Sequence, residues 1–89
     1  MPPSRVDSNQ SIIVAALRAA GASVLHLHTV GHGCPDLAVG HAGRNYLVEI
    51  KRGTAKLTPD EQRFHSEWRG VVHVIRTPEE ALEMLGGER

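Results

Sequence analysis

Two short alternating runs joined by a turn constrain this chain more than anything else in it. On a strand, side chains point alternately to opposite faces. Along residues 46–51 this makes Glu49 and Lys51 project together, while Tyr46, Val48 and Ile50 project the other way. The run Asp36, Leu37, Ala38, Val39 alternates likewise, and between the two runs His41-Ala42-Gly43-Arg44-Asn45 carries the Gly and Asn of a hairpin connection. A four-residue loop places Leu37 opposite Val48 and Val39 opposite Tyr46, so the apolar faces agree. The same register sets Asp36 opposite Glu49, about 5 Å apart at Cβ.

Two carboxylates that close repel, and one pKa rises strongly unless a cation lies between them. No Cys or His shares their face, so the available ligands are oxygens, which favours Mg²⁺ or Mn²⁺ over Zn²⁺. Lys51, next on that face, supplies a positive charge for a phosphate oxygen or an attacking water. The competing explanation is an ordinary Glu49 to Lys51 salt bridge on a solvated face; the aligned Asp36 and the preceding Pro35 weigh against it.

The rest of the chain frames this hairpin. Residues 1–6 read as a flexible N-terminal tail and residues 7–89 as a single domain. Asp7 or Ser8 can cap a first helix with Ile12, Ile13, Ala16, Leu17 and Ala20 on one side, ended by Gly21. Residues 23–29 read as a strand in which Val24, with Leu25 and Leu27, is buried. Thr58-Pro59-Asp60-Glu61 and Thr77-Pro78-Glu79-Glu80 share one helix-start signature, with a Thr cap, Pro at the first position and Glu at the third. The two helices are expected to run to about Arg69 and Leu85. Between them, residues 71–75 form a β-branched strand that pairs in parallel with residues 46–51 through a crossover helix. The expected fold is α/β in the broad sense, an α+β domain of order α-β-β-β-α-β-α whose four-stranded mixed sheet is flanked by helices.

An 89-residue chain with 40% hydrophobic residues but one Phe, one Tyr and one Trp must build a small aliphatic core, which dimerisation would help. No run is apolar and long enough to span a membrane, and the first residues lack the apolar stretch of a signal peptide, so a cytoplasmic protein is expected. The single Cys34 fits a reducing compartment and reads as a small residue in a tight turn. Formal charge is zero, yet Arg44, Lys51, Arg52, Lys56, Arg63 and Arg69 gather in the hairpin and the following helix, while Glu79, Glu80, Glu83 and Glu88 crowd the C-terminal part. Arg52 and Lys56, in the loop after the active strand, are candidate phosphate contacts, with Arg44 and Arg63. His32, at the bend before Pro35-Asp36, is a further candidate for a phosphate or a water.

The strings Gly33-Cys34-Pro35-Asp36-Leu37, Leu47-Val48-Glu49-Ile50-Lys51-Arg52-Gly53 and Leu57-Thr58-Pro59-Asp60-Glu61-Gln62 together resemble the PD-(D/E)XK nuclease superfamily. They are most similar to its small stand-alone VRR-NUC domains, many of them phage-encoded. The resemblance runs from the first helix to the last and implies a restriction-endonuclease-like core. It also implies a metal-dependent DNA endonuclease acting as a homodimer, in the manner of relatives that often favour four-way junctions or other branched DNA. Asp36, Glu49 and the Ile50 carbonyl would then be ligands of Mg²⁺ or Mn²⁺, and Lys51 would orient the nucleophile or stabilise the transition state. Gln62 would support Lys51 or the metal-bound water. Many relatives present a Glu from the first helix; here Asp7, Asn9 and Gln10 are the polar substitutes, and Asn9 is the favoured metal contact. Neither a membrane nor a nucleotide cofactor is implied.

Two other readings compete. A nuclease-like fold could serve as a catalytically inactive DNA-binding or assembly module, although facing carboxylates that repel phosphate argue against it. Six histidines, with His26 and His28 on one strand face, suggest a zinc-binding regulator, but a zinc site needs further ligands. His41 and His65 read as surface and His73 as a partly buried imidazole. Phe64 and Trp68, four apart on one helix, have core spacing; a base or a dimer interface is the other use for Trp68.

Overall fold

The computed structural model describes residues 9–86. In chain order the elements are α1 (Gln10–Ala19), β1 (Ser23–His26), β2 (Leu37–His41), β3 (Arg44–Ile50), α2 (Pro59–Glu67), β4 (Val72–Ile75) and α3 (Pro78–Gly86). They form the α+β architecture expected from the sequence, with a mixed sheet ordered β1-β2-β3-β4 and helices flanking it. The first three strands pair antiparallel, and β4 joins β3 in parallel through α2. The expected tail over residues 1–6, the caps at Asp7 and Ser8, and Glu88 lie outside the described residues.

The hairpin register is the expected one, with Leu37 opposite Val48 and Val39 opposite Tyr46. Its turn is shorter, because His41 also pairs with Arg44 and only Ala42 and Gly43 remain in the loop. Both have positive φ, 51° and 79°, the requirement of a two-residue turn whose twist matches the strands. Adding a pair at the turn leaves every cross-strand partner unchanged.

Helix α1 ends as its glycine predicts. Gly21 takes φ of 92°, its N–H reaches the Arg18 carbonyl at 3.0 Å, and the Ala22 N–H reaches that of Leu17 at 3.0 Å. This pairing satisfies the last carbonyls of the helix. The buried side of α1 differs from expectation. It consists of Gln10, Ile13, Val14 and Leu17, whereas Ile12 and Ala20 face solvent, since the sheet and α3 cover a narrower stripe than the alanine-rich sequence outlines.

Strand β1 is also shorter than expected, ending at His26. The Leu27 N–H still bonds the Asp36 carbonyl at 2.8 Å, but the chain then turns, with the Val30 N–H on the Leu27 carbonyl. Leu25 is exposed, because its side chain points to the sheet face that α1 and α3 leave uncovered.

The core lies wholly on the other face. Leu37, Val39, Tyr46, Val48, Ile50 and Ile75 of the sheet pack with Ile13 and Leu17 of α1 and with Ala81, Met84 and Leu85 of α3. Each fully buried aliphatic side chain contributes about 1.5–3 kcal/mol. Helix α2 is different: it buries no residue. Phe64 and Trp68, expected in the core, instead stack on each other with ring centroids 5.4 Å apart, and Trp68 is half exposed where the chain leaves the helix in an extended conformation.

Candidate active site at the end of the central hairpin

The β2–β3 ladder closes on a carboxylate. Asp36, the residue before β2, accepts a hydrogen bond from the Ile50 N–H at 2.7 Å through Oδ2. Within a strand the N–H and C=O of one residue point to the same side, so the Ile50 carbonyl also turns toward β2. The next N–H, that of Lys51, turns the opposite way and bonds the Ile75 carbonyl of β4 at 3.1 Å. Strand geometry thus gathers Asp36, the Ile50 carbonyl and the Glu49 side chain at one end of the sheet.

Glu49 is only 2% exposed, and its Oε1 is buried without a hydrogen-bond partner. Burial pushes its carboxyl up to about 9, helped by the Asp36 charge, by a hydrogen bond between the two carboxyl groups and by the Glu61 charge; Lys51 opposes the shift. At neutral pH, without a cation, Glu49 therefore keeps its proton.

Lys51 is engaged from the other side. Its Nζ lies 2.7 Å from Glu61 Oε1, with both side chains largely buried. The same oxygen accepts the Thr58 N–H at 2.9 Å, while Thr58 Oγ1 accepts the Glu61 N–H at 3.2 Å, completing a capping box at the start of α2. Burial works to raise the Glu61 carboxyl, but the hydrogen bonds from Lys51 and Thr58 outweigh it and hold the group below its ordinary range. Gly33 makes this docking possible. Its φ is 79°, and a Cβ there would overlap the Asp60 carbonyl, so only glycine lets the bend before Pro35 lie against the first turn of α2.

The resemblance implies Gln62 as a support for Lys51 or for the metal-bound water, and in the structure the side chain that touches Lys51 is its neighbour Glu61. Gln62 Nε2 donates to the Leu57 carbonyl at 3.1 Å, whereas Glu61 reaches the lysine. The signal was present in the capping box, since a Glu at the third helical position folds back over the helix start, and that start abuts the end of β3.

Asn9 does reach this end of the sheet, but through its amide nitrogen. It occupies the cap position of α1 without capping it, and Nδ2 donates to the carbonyls of Lys51 at 3.0 Å and Arg76 at 2.9 Å. Its Oδ1 is buried without a partner. Asn9 therefore ties α1 to the ends of β3 and β4, a brace for the strand that carries Glu49 and Lys51. Arg76 braces the following loop, with Nη1 donating to the carbonyls of Gly53 at 2.9 Å and Ala55 at 2.8 Å.

The basic residues divide. Arg52 and Lys56 are exposed on the braced loop beside the site. Arg44 opens β3 at the hairpin turn, five residues and about 17 Å along the strand from Glu49. Arg63 points along α2 to Asp60, at 3.2 Å. His32 is exposed at the bend, with φ of 59°.

Cys34 sits beside the acids, and burial together with the Glu49 and Asp36 charges pushes its thiol up, away from the reactive thiolate. His41 and His65, expected at the surface, are half-buried, and each has a buried ring nitrogen without a partner. His73 packs edge-on to the Tyr46 ring at 5.6 Å. His26 and His28 have ring centroids 6.3 Å apart, and His26 Nδ1 lies 3.4 Å from Gln10 Nε2.

Among the described residues no three His, Cys, Asp or Glu side chains come together as a group able to hold a metal. The arrangement at the hairpin end is instead two carboxyls and a backbone carbonyl. Its all-oxygen donor set, with a buried Glu49 oxygen lacking a partner, suits a hard divalent cation. No helix of the described residues is long and apolar enough to cross a membrane. Compared with protein-family models, with the curated proteins and with the solved structures, the chain matches none.

Proposed function

We propose that this chain is a divalent-metal-dependent endodeoxyribonuclease, hydrolysing phosphodiester bonds in DNA. The observation that carries this reading is the buried Glu49 facing Asp36 at the strand end, with its carboxyl raised to about 9 and Lys51 two residues on along the same strand. A domain this small gains no stability from two facing acids and a buried carboxyl oxygen without a partner. A cation relieves both costs.

Asp36, Glu49 and the Ile50 carbonyl would hold Mg²⁺ or Mn²⁺. When bound, such an ion lowers the pKa of water and neutralises charge on a phosphate. The chain's own groups do the rest. Asp36 is kept in place by the Ile50 N–H, so its carboxylate needs no reorganisation on binding. Glu49 would ligate as a carboxylate, its proton released to solvent. Lys51, held at its ammonium by Glu61, supplies the fixed positive charge beside the phosphate. Arg52 and Lys56, on the loop braced by Arg76, are positioned for neighbouring backbone phosphates. The resemblance of the three motifs to VRR-NUC domains supports the same reading and extends it to branched DNA, a homodimer and a cytoplasmic location.

A catalytically inactive DNA-binding module is the second reading, and the ion pair that already occupies Lys51 favours it. One assay separates the two. Plasmid, linear duplex, flap and four-way-junction DNA are incubated with the protein in Mg²⁺, Mn²⁺ or EDTA. Cutting that needs the metal and falls by at least about a thousandfold in Glu49→Gln and Lys51→Ala establishes the nuclease. Binding without cutting under every metal establishes the module.

A further inference from the structure

The sheet face that carries Asp36 and Glu49 continues, away from the acids, into an open groove of about 610 Å³. Ala38 and Leu47 follow Asp36 and Glu49 at the strand period on that face, and Leu25 lies beyond Ala38 on β1. Trp68 and Val71, from the segment between α2 and β4, form its other wall. The groove begins about 7 Å along β3 from Glu49, roughly twice the 3.4 Å axial rise per nucleotide of a duplex strand.

Its chemistry is unlike that of the acid end. Among the described residues no Asp, Glu, Lys or Arg lines it, and Leu25, Trp68 and Val71 are 62%, 47% and 67% exposed. The indole of Trp68 is held as a platform. Phe64 stacks behind it at an interplanar angle of 15°, and it rests against Gly70, where a Cβ would come 2.9 Å from Nε1. Asn45, two residues before Leu47 on β3, is a polar residue of the lining. Exposed Arg69 adjoins the lining residue Gly70 in sequence.

We infer that this groove binds an unpaired nucleobase of a DNA substrate, stacked on Trp68, one or two nucleotides from the phosphate at the acids. An uncharged aromatic slot beside a cationic residue matches a single strand, whose bases are free to enter while its phosphates stay outside. Duplex DNA offers no free base, so the groove selects substrates with unpaired nucleotides such as flaps and single-stranded gaps. Its volume lies in the range of pockets for small ligands, whereas a stable self-association needs a broad surface of about 800 Å² per partner. The inference rests on the DNA-directed reading above.

Trp68 is the only tryptophan of the chain, so its emission reports the groove directly. The full chain is titrated in EDTA with a short oligothymidylate and with an abasic oligonucleotide of equal length. The expected result is quenching by the first alone, with affinity about tenfold lower for the abasic strand. Trp68→Ala and Leu25→Glu, both at exposed positions, should lower oligothymidylate affinity about tenfold in an anisotropy assay and leave abasic binding unchanged. Equal quenching by both strands, no quenching, or no binding of either overturns the inference. So does an emission change that follows protein concentration without DNA, which would place a second copy in the groove. Base-dependent quenching without cleavage in any metal keeps the groove and removes the nuclease; cleavage without such quenching does the reverse.

Discussion

The two faces of the sheet obey different rules. On one, Leu37, Val39, Tyr46, Val48, Ile50 and Ile75 are covered by α1 and α3 and form the buried core of the sheet, with Val24 packed against them. On the other lie two facing acids, a slot with an exposed tryptophan, and a helix, α2, that buries nothing. The first face stabilises the fold. The second holds groups that cost stability, and α2 is fastened to it by a glycine contact and an ion pair rather than by a core. A small domain can carry unfavourable chemistry on one side because the other side alone supplies the packing.

The sharpest way to break this comparison is to truncate both faces. Leu37→Ala, in a fully buried position, should lose about 3 kcal/mol in urea unfolding, while Leu25→Ser on the opposite face stays within about 0.5 kcal/mol. Equal losses would mean that the second face is also a structural core.

Next in size is the pH dependence contributed by Glu49. Its folded pKa of about 9 lies above the ordinary 4.5, so the folded chain keeps a proton that the unfolded chain releases between those values. Its contribution to metal-free stability is therefore complete below pH 4.5 and falls as pH rises toward 9, by at most about 1.4 kcal/mol per unit. Glu49→Gln should remove most of this slope and, at mildly alkaline pH, be more stable than the wild type by on the order of 2 kcal/mol. Adding Mg²⁺ should flatten the slope of the wild type only. Thermal unfolding across this range, with and without Mg²⁺, checks each part, and a wild-type slope indifferent to Glu49→Gln would separate the acids from the stability of the domain.

Gly33→Ala is the mildest test and the most local. Positive φ and the overlap with the Asp60 carbonyl should cost about 1–2 kcal/mol of stability in thermal unfolding. The first turn of α2 should shift, and with it the Glu61 to Lys51 pair, so cleavage should fall more than stability does.

Much of this was legible in the primary structure, for local reasons. Alternation and apolar matching set the β2–β3 register and put Asp36 opposite Glu49 whatever the turn length. The two Thr-Pro helix starts and the Gly21 stop are written in residues that act on their own backbone. What failed depended on coverage. Ile12, Leu25 and Trp68 have the composition and spacing of core residues but stand where no element lies over them. The choice of Glu61 over Gln62 turned on where one helix begins relative to one strand end, a distance of a few ångströms between segments that the sequence separates by a loop.

The sequence by itself determined the element order, the hairpin register and the two facing acids, because period, capping and turn chemistry act within a few residues. The tertiary structure alone decided which sheet face became the core, that Glu49 is buried beside Asp36, that Asn9 and Arg76 brace the backbone around Lys51, and that Trp68 borders an open groove. These depend on contacts between residues far apart in the chain, whose geometry is set only when the helices dock on the sheet.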